Sequence, residues 1–278
     1  MIRIENLQKS YGAVRAVDGI DLTVDQGELF AFLGPNGAGK TTTIRILTGL
    51  TKIGAGRVTI GGYDIAQNAQ AAKRQCGLVT QHVNLDSELS VRENLDIHGR
   101  LFAMPKQERR RRIDELLGYV EMADRANHLV KQLSGGLKRR LMIARALMHQ
   151  PKIIFLDEPT VGLDPAIRRR VWALVKRVRH DGATIFLTTH YIEEAEFLAD
   201  RVAFLDKGRI VALDQPQNLM AELGLWAIDE IDGESMETHY FQSRDEAAQF
   251  SAKHDSAFTL RRVNLEDAFL SLTGKKVS

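Results

Sequence analysis

The segment from Gly34 to Thr42, which reads GPNGAGKTT, constrains this chain more than any other. It fits the phosphate-binding pattern G-x-x-x-x-G-K-[ST], and its setting fits as well. The apolar run Leu29–Leu33 before it predicts a buried strand, and the residues from Ile44 predict a helix that ends near Gly49. Glycines let backbone N–H groups turn inward around an anion, and a helix N-terminus adds unpaired donors. The segment therefore predicts binding of a nucleoside triphosphate.

Every residue of this loop is a candidate contact for the triphosphate: Gly34, Pro35, Asn36, Gly37, Ala38, Gly39, Lys40, Thr41 and Thr42. Lys40 is expected to reach the β- and γ-phosphates, and the hydroxyl of Thr41 is expected to ligate Mg²⁺. The alternative is an ordinary glycine-rich turn. The strand before the loop and the helix after it favour the phosphate-binding interpretation.

The composition bounds the kind of protein. A length of 278 residues allows one large domain with an appendage, or two modest domains. Thirty-eight Lys and Arg against 36 Asp and Glu leave a net charge of +2, so no global field favours nucleic acid, and none is expected as a partner. The single cysteine, Cys76, excludes an internal disulfide and suits a reducing cytoplasm. No apolar run is long enough to span a membrane and no signal peptide is evident, so any membrane spans must come from another chain.

Strand and helix patterns alternate along residues 1–220, which predicts an α/β core with a largely parallel sheet covered on both faces. A block at about 88–150 repeats its apolar residues with helical spacing, and we expect it to be an inserted helical subdomain. After about residue 220 the composition shifts. There the predicted strands are Trp226–Asp232, Met236–Ser243 and Ala257–Val263, and the predicted helices are Arg244–His254 and Leu265–Leu272. Residues 221–278 are therefore predicted to form a small α+β appendage.

A basic run, Lys106–Arg112, opens one of the predicted helices. The apolar face of that helix follows at Ile113 and Leu116, so the basic residues are expected to form a solvated polar face. No aromatic residues are interleaved with them, which disfavours the alternative of a nucleic-acid-binding patch.

A second chemical element is the apolar strand Ile153–Leu156, which ends in Asp157 and Glu158. Burying two carboxylates is costly without a cation or hydrogen-bond donors. Open α/β sheets place their ligands at the carboxyl ends of parallel strands. Asp157 is therefore expected in the Mg²⁺ shell, and Glu158, on the other side of the strand by alternation, is expected to face the attacking water. A strand that runs into an acidic surface turn is the alternative.

A third element is Ser134-Gly135-Gly136, which precedes a helical stripe that starts at Leu137. Ser134 could simply cap that helix. The same residues could also present backbone N–H groups to a phosphate, as a second anion site. The residues alone leave both interpretations open.

Together these motifs resemble the nucleotide-binding subunit of ABC (ATP-binding cassette) transporters, over residues 1 to about 220. The loop at 34–42 resembles the Walker A motif of that family, the strand at 153–158 its Walker B, and Leu133–Gly136 its signature motif. Four further positions match: Gln81 as the Q-loop, Gly162-Leu163-Asp164 as the D-loop, His190 as the switch histidine and Tyr11 as the adenine-stacking aromatic. All seven elements occur in the order and at the spacing of the family.

The resemblance implies a P-loop NTPase (RecA-like) core with a mixed or parallel sheet, and an ATPase that uses ATP and Mg²⁺. Two such subunits, as a homodimer or heterodimer, would sandwich ATP between the phosphate loop of one and Ser134, Gly135, Gly136 and Asp164 of the other. They would lie in the cytoplasm on the inner face of the membrane, bound to a separate polytopic permease.

The resemblance also assigns individual roles. Glu158 would polarise the water, His190 would hold the γ-phosphate, and Gln81 would contact Mg²⁺ and report the nucleotide state to the helical block. Simpler interpretations stay open for single residues: Tyr11 as packing, Gln81 and His190 as polar strand ends, and Asp164 as a turn former.

Two segments narrow the type. Asn84–Asp86 with Leu89–Leu95, and the ending Asn264–Gly274, resemble type-2 exporter ATPases, a group that includes nodulation-factor, drug-resistance and polysaccharide exporters. An exporter subunit is therefore preferred over an importer subunit. Soluble ABC ATPases that act on ribosomes or DNA are the other alternative, which a single cassette without a long coiled-coil insertion disfavours. The transported substrate is not encoded in any of these motifs.

Overall fold

The computed structural model describes residues 1–232, 235–252 and 258–274. Within these ranges the strands are β1 (Ile2–Tyr11), β2 (Val14–Val24), β3 (Leu29–Leu33), β4 (Ala55–Ile60), β5 (Tyr63–Asp64), β6 (Cys76–Val79), β7 (Ile153–Asp157), β8 (Thr184–Thr189), β9 (Arg201–Asp206), β10 (Arg209–Asp214), β11 (Trp226–Asp232), β12 (Ser235–Phe241) and β13 (Phe258–Arg262). The α-helices are α1 (Lys40–Leu47), α2 (Ala69–Arg74), α3 (Val91–Leu101), α4 (Lys106–Tyr119), α5 (Gly135–Leu147), α6 (Pro165–His180), α7 (Ile192–Leu198), α8 (Pro216–Ala221), α9 (Arg244–Ser251) and α10 (Leu265–Thr273).

The central sheet has six strands in the order β10-β9-β3-β8-β7-β6. The pairs β9–β3, β3–β8, β8–β7 and β7–β6 are parallel, and β10 is an antiparallel edge strand. Strands β3, β7 and β8 are buried at every residue, as expected for parallel strands covered on both faces. The predicted α/β class with a mixed sheet is confirmed.

A second, antiparallel sheet in the order β2-β1-β4-β5 is the main feature that the sequence analysis did not distinguish. Strand patterns within residues 1–220 were predicted to form one largely parallel sheet, and β5 was not predicted as a strand. Strand β1 buries Ile2, Ile4 and Leu7 and exposes residues between them. This alternation is typical of an antiparallel sheet with one solvated face, so the signal was present in the sequence.

The two faces of β3 separate two layers of the core. Phe30 and Phe32 pack with Phe186 of β8, at ring-centroid distances of 5.4 and 5.0 Å, on the side of α1 and the antiparallel sheet. Leu29, Ala31 and Leu33 lie in the other layer of the core, with residues of α6, α7 and the helical block. Because β3 is fixed on both faces, the loop that follows Leu33 leaves the sheet from a rigid base.

The helical block consists of α3, α4 and α5, with Ile113 and Leu116 buried as predicted. The prediction that the basic run forms a solvated face is wrong at one position. Arg109 is 7 % exposed, and its guanidinium pairs with Asp96 and donates to the carbonyl of Met104 at 2.8 Å. The helix buries this cation because Asp96 on α3 compensates its charge.

The C-terminal segment forms a three-stranded sheet, β12-β11-β13, together with α9 and α10. Its predicted helix end at His254 and strand start at Ala257 lie outside the described residues. Helix α10 packs into the cassette, where Phe269 is 1 % exposed and meets Phe204 of β9 edge-on at 5.2 Å. The division of the chain near residue 221 stays a prediction. None of the helices in the described ranges has the length and apolar character needed to cross a bilayer.

The packing of α10 gives a stability prediction. Replacing Phe269 by Ala should lower the free energy of unfolding by about 3–5 kcal/mol, the usual cost of emptying a buried phenylalanine site. Denaturant unfolding followed by circular dichroism measures this. Leu272→Ala, on the same helix but 45 % exposed, is the control and should change stability little. Equal effects of the two substitutions would contradict the docking of α10 through Phe269.

Candidate nucleotide site

The phosphate loop runs from the end of β3 to the first residue of α1. Gly39, at the N-terminal cap of α1, has a φ of 108°, and a Cβ there would lie 2.3 Å from the carbonyl oxygen of Ala16 on β2. A Cβ on Gly34 would lie equally close to the carbonyl oxygen of Leu205 on β9. Both positions require glycine because neighbouring backbones approach the loop. Asn36 and the adjoining glycine are exposed at the outer turn of the loop.

Lys40 lies inside this loop. Its side chain is 4 % exposed, and its Nζ donates to the carbonyls of Gly34 at 2.7 Å and Pro35 at 3.1 Å. The ammonium also lies 3.4 Å from Oε1 of Glu158. Burial lowers the pKa of Lys40, and the nearby Glu158 carboxylate opposes that shift. A cation is thus held where the loop can surround an anion.

Asp157 ends β7 beside α1. Its side chain is buried, and its Oδ1 accepts hydrogen bonds from Thr188 Oγ1 at 2.6 Å and Thr41 Oγ1 at 3.4 Å. Burial raises the pKa of Asp157, against the effect of the Thr188 hydrogen bond. The predicted pair of Mg²⁺ ligands, Asp157 and Thr41, is therefore in contact.

Glu158 is the centre of the site. Its side chain is 5 % exposed, and its Oε2 lies 3.2 Å from Gln81 Nε2 and 3.1 Å from His190 Nδ1. Its backbone has a φ of 47°, in the left-handed region, where its N–H donates to the carbonyl of Thr188 at 3.0 Å. The expectation that strand alternation places Glu158 is therefore wrong, because β7 ends at Asp157 and a strained turn sets the direction of Glu158.

The loops after four neighbouring parallel strands meet here. Lys40 follows β3, Gln81 follows β6, Glu158 follows β7 and His190 follows β8. This is the carboxyl edge of the sheet, where ligands bind in open α/β folds. The structure brings these four predicted residues into one cluster around the buried Glu158, with Gln81 and His190 half-buried, while their chemical roles stay predictions.

Gln81 contacts Glu158, but no hydrogen bond joins it to Asp157 or Thr41 in the described part of the chain. Its predicted contact with Mg²⁺ stays a prediction. Nor do the described residues contain a group of three or more His, Cys, Asp or Glu side chains that could hold a metal ion. Asp157 with the Thr41 hydroxyl still fits Mg²⁺, which takes one or two protein ligands together with phosphate oxygens.

The signature residues and the D-loop form a separate surface. Ser134 is exposed and caps α5 by accepting from Leu137 N at 3.4 Å, and Asp164 caps α6 by accepting from Ile167 N at 3.0 Å. A Cβ on Gly136 would lie 2.4 Å from Cγ2 of Ile167, so the two helix starts pack together. Within the described ranges, no hydrogen bond or ion pair links Ser134 or Asp164 to the phosphate loop of the same chain.

The capping interpretation of Ser134 is thus correct as far as the isolated chain goes, and it leaves the outer side of Ser134 and Gly135 open. Tyr11 lies at the end of β1, in the hairpin whose other strand contacts Gly39 through Ala16. Tyr11 is 49 % exposed, and Lys9 Nζ lies 5.4 Å from the centre of its ring. A ring that borders the loop and faces solvent can stack on a base, and this role stays a prediction.

Two further residues support the site without having been predicted as site residues. Thr188 holds Asp157 and the backbone of Glu158, as described above. Arg139 on α5 is 4 % exposed and donates to the carbonyls of Thr80 at 2.7 Å and Gln81 at 3.0 Å. In the sequence Arg139 stands between Lys138 and Arg140, and such a basic run predicts a solvated face rather than a buried side chain.

Comparison with known proteins agrees with this geometry. Residues 17–161 match the family described as ABC transporter. The chain belongs to this family. One ABC relative, the Nod factor export ATP-binding protein I of Cupriavidus metallidurans, is 39 % identical over 100 % of this chain and 98 % of its own length. The daunorubicin resistance ATP-binding protein of Streptomyces coeruleorubidus is 44 % identical over 82 % of this chain and 72 % of its own length.

Solved ABC structures share the fold. An ATP-binding cassette described as a dimeric post-hydrolysis state bound to ADP and Pi is 32 % identical, with a TM-score of 0.70 over 77 % of this chain and 98 % of that one. The predicted family, its ATPase activity and the resemblance to exporter ATPases are confirmed by these matches.

The raised pKa of Asp157 gives a testable consequence for this ABC cassette. The unfolded chain releases this proton near pH 3.9, roughly the ordinary value for Asp. Because the folded protein holds the proton to higher pH, stability decreases as the pH rises between the two pKa values, and the whole penalty is present above them. Asp157→Asn should therefore raise the melting temperature at pH 7 without nucleotide.

Thermal unfolding measures this effect, and the advantage of Asp157→Asn should shrink below about pH 4, where the carboxyl is protonated in both states. The matched control is Asp114→Asn, at a side chain that is 64 % exposed, which should leave the melting temperature nearly unchanged. A lower melting temperature for Asp157→Asn than for the wild type would contradict the desolvation argument.

Proposed function

We propose that the protein powers export as the ATP-hydrolysing subunit of an ABC transporter, paired with a second ATPase subunit and bound to a separate polytopic permease. It would act in the cytoplasm at the inner face of the cell membrane. The observation that carries the catalytic part is the cluster of Lys40, Gln81 and His190 around the buried Glu158 at the carboxyl edge of the sheet.

Five side chains at this edge of the sheet have tasks that their positions suit. Lys40 and the loop N–H groups would balance the charge of the β- and γ-phosphates. Thr41 and Asp157 would hold Mg²⁺, which when bound neutralises charge on the phosphate oxygens. Glu158 would accept a hydrogen bond from the attacking water, and His190 would orient the γ-phosphate in line with it.

The proposed dimer follows from where the second anion site lies. Ser134 and Gly135 start α5 at the protein surface, and their outward side has no partner in the chain's own phosphate loop. Two copies arranged head to tail would bring each signature helix onto the ATP held by the other copy. Asp164, exposed at the adjacent start of α6, would join the same interface. The γ-phosphate charge would then be shared between two sets of donors, which closes the dimer.

A groove beside the Gln81 segment is the proposed contact for the permease. It encloses about 320 Å³ and includes Asn84, His98 and Phe102 in its lining. Val83, 46 % exposed, and Leu101, 77 % exposed, are available near its edges as apolar contact surface. A permease segment seated here would touch the loop that contacts Glu158, so nucleotide hydrolysis could be coupled to transport.

Export is preferred over import because the similar relatives carry names of export and resistance proteins. A neighbouring reading frame for a polytopic membrane protein would support the transporter. Co-purification with ribosomes and no membrane partner would instead support the soluble ABC class. The substrate is left open, because in this architecture the permease contacts it.

Phosphate binding is tested by Lys40→Ala. Loss of a buried, charge-assisted contact worth about 1.5–3 kcal/mol should weaken ATP binding about 10- to 150-fold, as measured by calorimetry. Lys106→Ala, which removes an exposed lysine at the start of α4, is the control and should bind ATP normally. Unchanged ATP affinity in Lys40→Ala would overturn the phosphate assignment.

Hydrolysis and dimer closure are tested by Glu158→Gln. The amide keeps the shape but loses the base, so turnover should fall by about 10²–10⁴-fold while ATP binding is retained. Light scattering should then detect an ATP-dependent dimer. Adding Ser134→Arg, at the exposed cap of α5, should abolish that dimer and leave ATP binding by the monomer intact. Wild-type turnover in Glu158→Gln would remove Glu158 from its role, and a persistent dimer in the double variant would refute the composite site.

A further inference from the structure

Glu194 is a fully buried carboxylate next to the site that the proposed mechanism does not use. It lies on α7, four residues after His190, and is 0 % exposed. Its Oε1 accepts hydrogen bonds from Thr160 Oγ1 and Trp172 Nε1, both at 2.8 Å. Its Oε2 is also buried, and the hydroxyl of Thr189 in the switch segment faces the carboxylate. An ionisable group in such a place is costly, which calls for a reason beyond packing.

The first partner of Glu194 connects it to the catalytic turn. Thr160 lies between Glu158 and the D-loop residue Asp164. The turn is closed by backbone hydrogen bonds, from Val161 N to the carbonyl of Glu158 at 3.4 Å and from Leu163 N to the carbonyl of Thr160 at 3.2 Å. Holding the Thr160 hydroxyl therefore holds the segment 158–164.

The switch segment is connected to the same carboxylate through the start of α7. Tyr191 N donates to Thr189 Oγ1 at 2.9 Å, and the carbonyl of Tyr191 accepts from Ala195 N at 3.3 Å. Helix α6 also contacts Tyr191, because the Arg168 guanidinium lies 4.1 Å from the centre of the Tyr191 ring. Arg168 N donates to the carbonyl of Asp164, so the Arg168–Tyr191 contact joins the start of the D-loop helix to the switch segment.

The other partner of Glu194 belongs to the scaffold. Trp172 is on α6, 3 % exposed, and its ring stacks on Phe197 of α7 at 5.2 Å. Trp172 therefore links the carboxylate to α6 and α7, in a part of these helices that carries no predicted catalytic residue. Glu194 thus bonds a fixed helix on one side and a functional loop on the other.

We propose that Glu194 is a positioning residue for ATP hydrolysis, whose carboxylate holds the segment 158–164 in register with the switch segment 188–191. Glu158, Asp164 and His190 then keep their relative positions while the dimer opens and closes. This inference rests on the proposed function. A purely structural role would be served by an apolar residue of similar volume, which would carry no desolvation cost.

The test compares the two hydrogen bonds of Glu194 in the full-length protein. Thr160→Val removes the bond to the functional segment, and Trp172→Phe removes the bond to the scaffold. We expect Thr160→Val to lower kcat for ATP about tenfold or more, equivalent to about 1.4 kcal/mol in the barrier, with KM changed less than about twofold. Trp172→Phe should lower the melting temperature at least as much and keep kcat within about twofold of the wild type.

Substitutions at Glu194 itself distinguish the effect of its two hydrogen bonds from the effect of its charge. Glu194→Gln keeps an oxygen that accepts both bonds and should retain at least about half of kcat, whereas Glu194→Leu should lose kcat as Thr160→Val does. Should Glu194→Leu fail to fold, the Thr160 and Trp172 pair still decides the question.

Wild-type kcat in Thr160→Val, or an equal loss of kcat in Trp172→Phe, would overturn the positioning role and leave the proposed function intact. A wild-type protein that does not hydrolyse ATP would instead remove the proposed function itself. The two failures are therefore distinguishable in one set of assays.

Discussion

The structure depends on placing two carboxylates and one ammonium at the end of a sheet with almost no exposure to water. Asp157, Glu158 and Lys40 are each at most 5 % exposed. Ionised groups tolerate such burial only when partners replace water. Hydroxyls of Thr188 and Thr41 partner Asp157, and Glu158 is met by three loops. The apolar strands keep water away from this edge of the sheet, and the polar residues at the strand ends must therefore partner one another.

The balance of charges among Asp157, Glu158 and Lys40 also bears on which form of the nucleotide fits the site. Two carboxylates against one lysine leave an excess of negative charge, which a triphosphate alone would increase. A divalent cation would reverse that sign locally, which favours the proposed magnesium–nucleotide complex over the free nucleotide. The raised pKa of Asp157 reflects the same excess, because burial and the adjacent Glu158 both disfavour its charged form.

The parts of the site that a sequence can predict are those built from neighbouring residues. The phosphate loop, the Asp157-Glu158 pair and the Ser134 cap each lie within one short segment, and each was found there. Thr188 and Arg139 act on segments 31 and 58 residues away, and only the sheet register and the packing of α5 bring them to their targets. The backbone turn that places Glu158 was missed for another reason, since a left-handed φ at a non-glycine residue leaves no pattern in the sequence.

Helix α5 connects the two halves of the proposed dimer site. Ser134 caps its exposed start, and Arg139 lies five residues further on, or about 7.5 Å along the axis. Arg139 holds the carbonyls of Thr80 and Gln81, and Gln81 in turn contacts Glu158. In a head-to-tail dimer, a phosphate bound to Ser134 would belong to the partner's nucleotide. A rigid helix would then join the ATP held by one copy to the Q-loop of the other, so the two sites would not be independent.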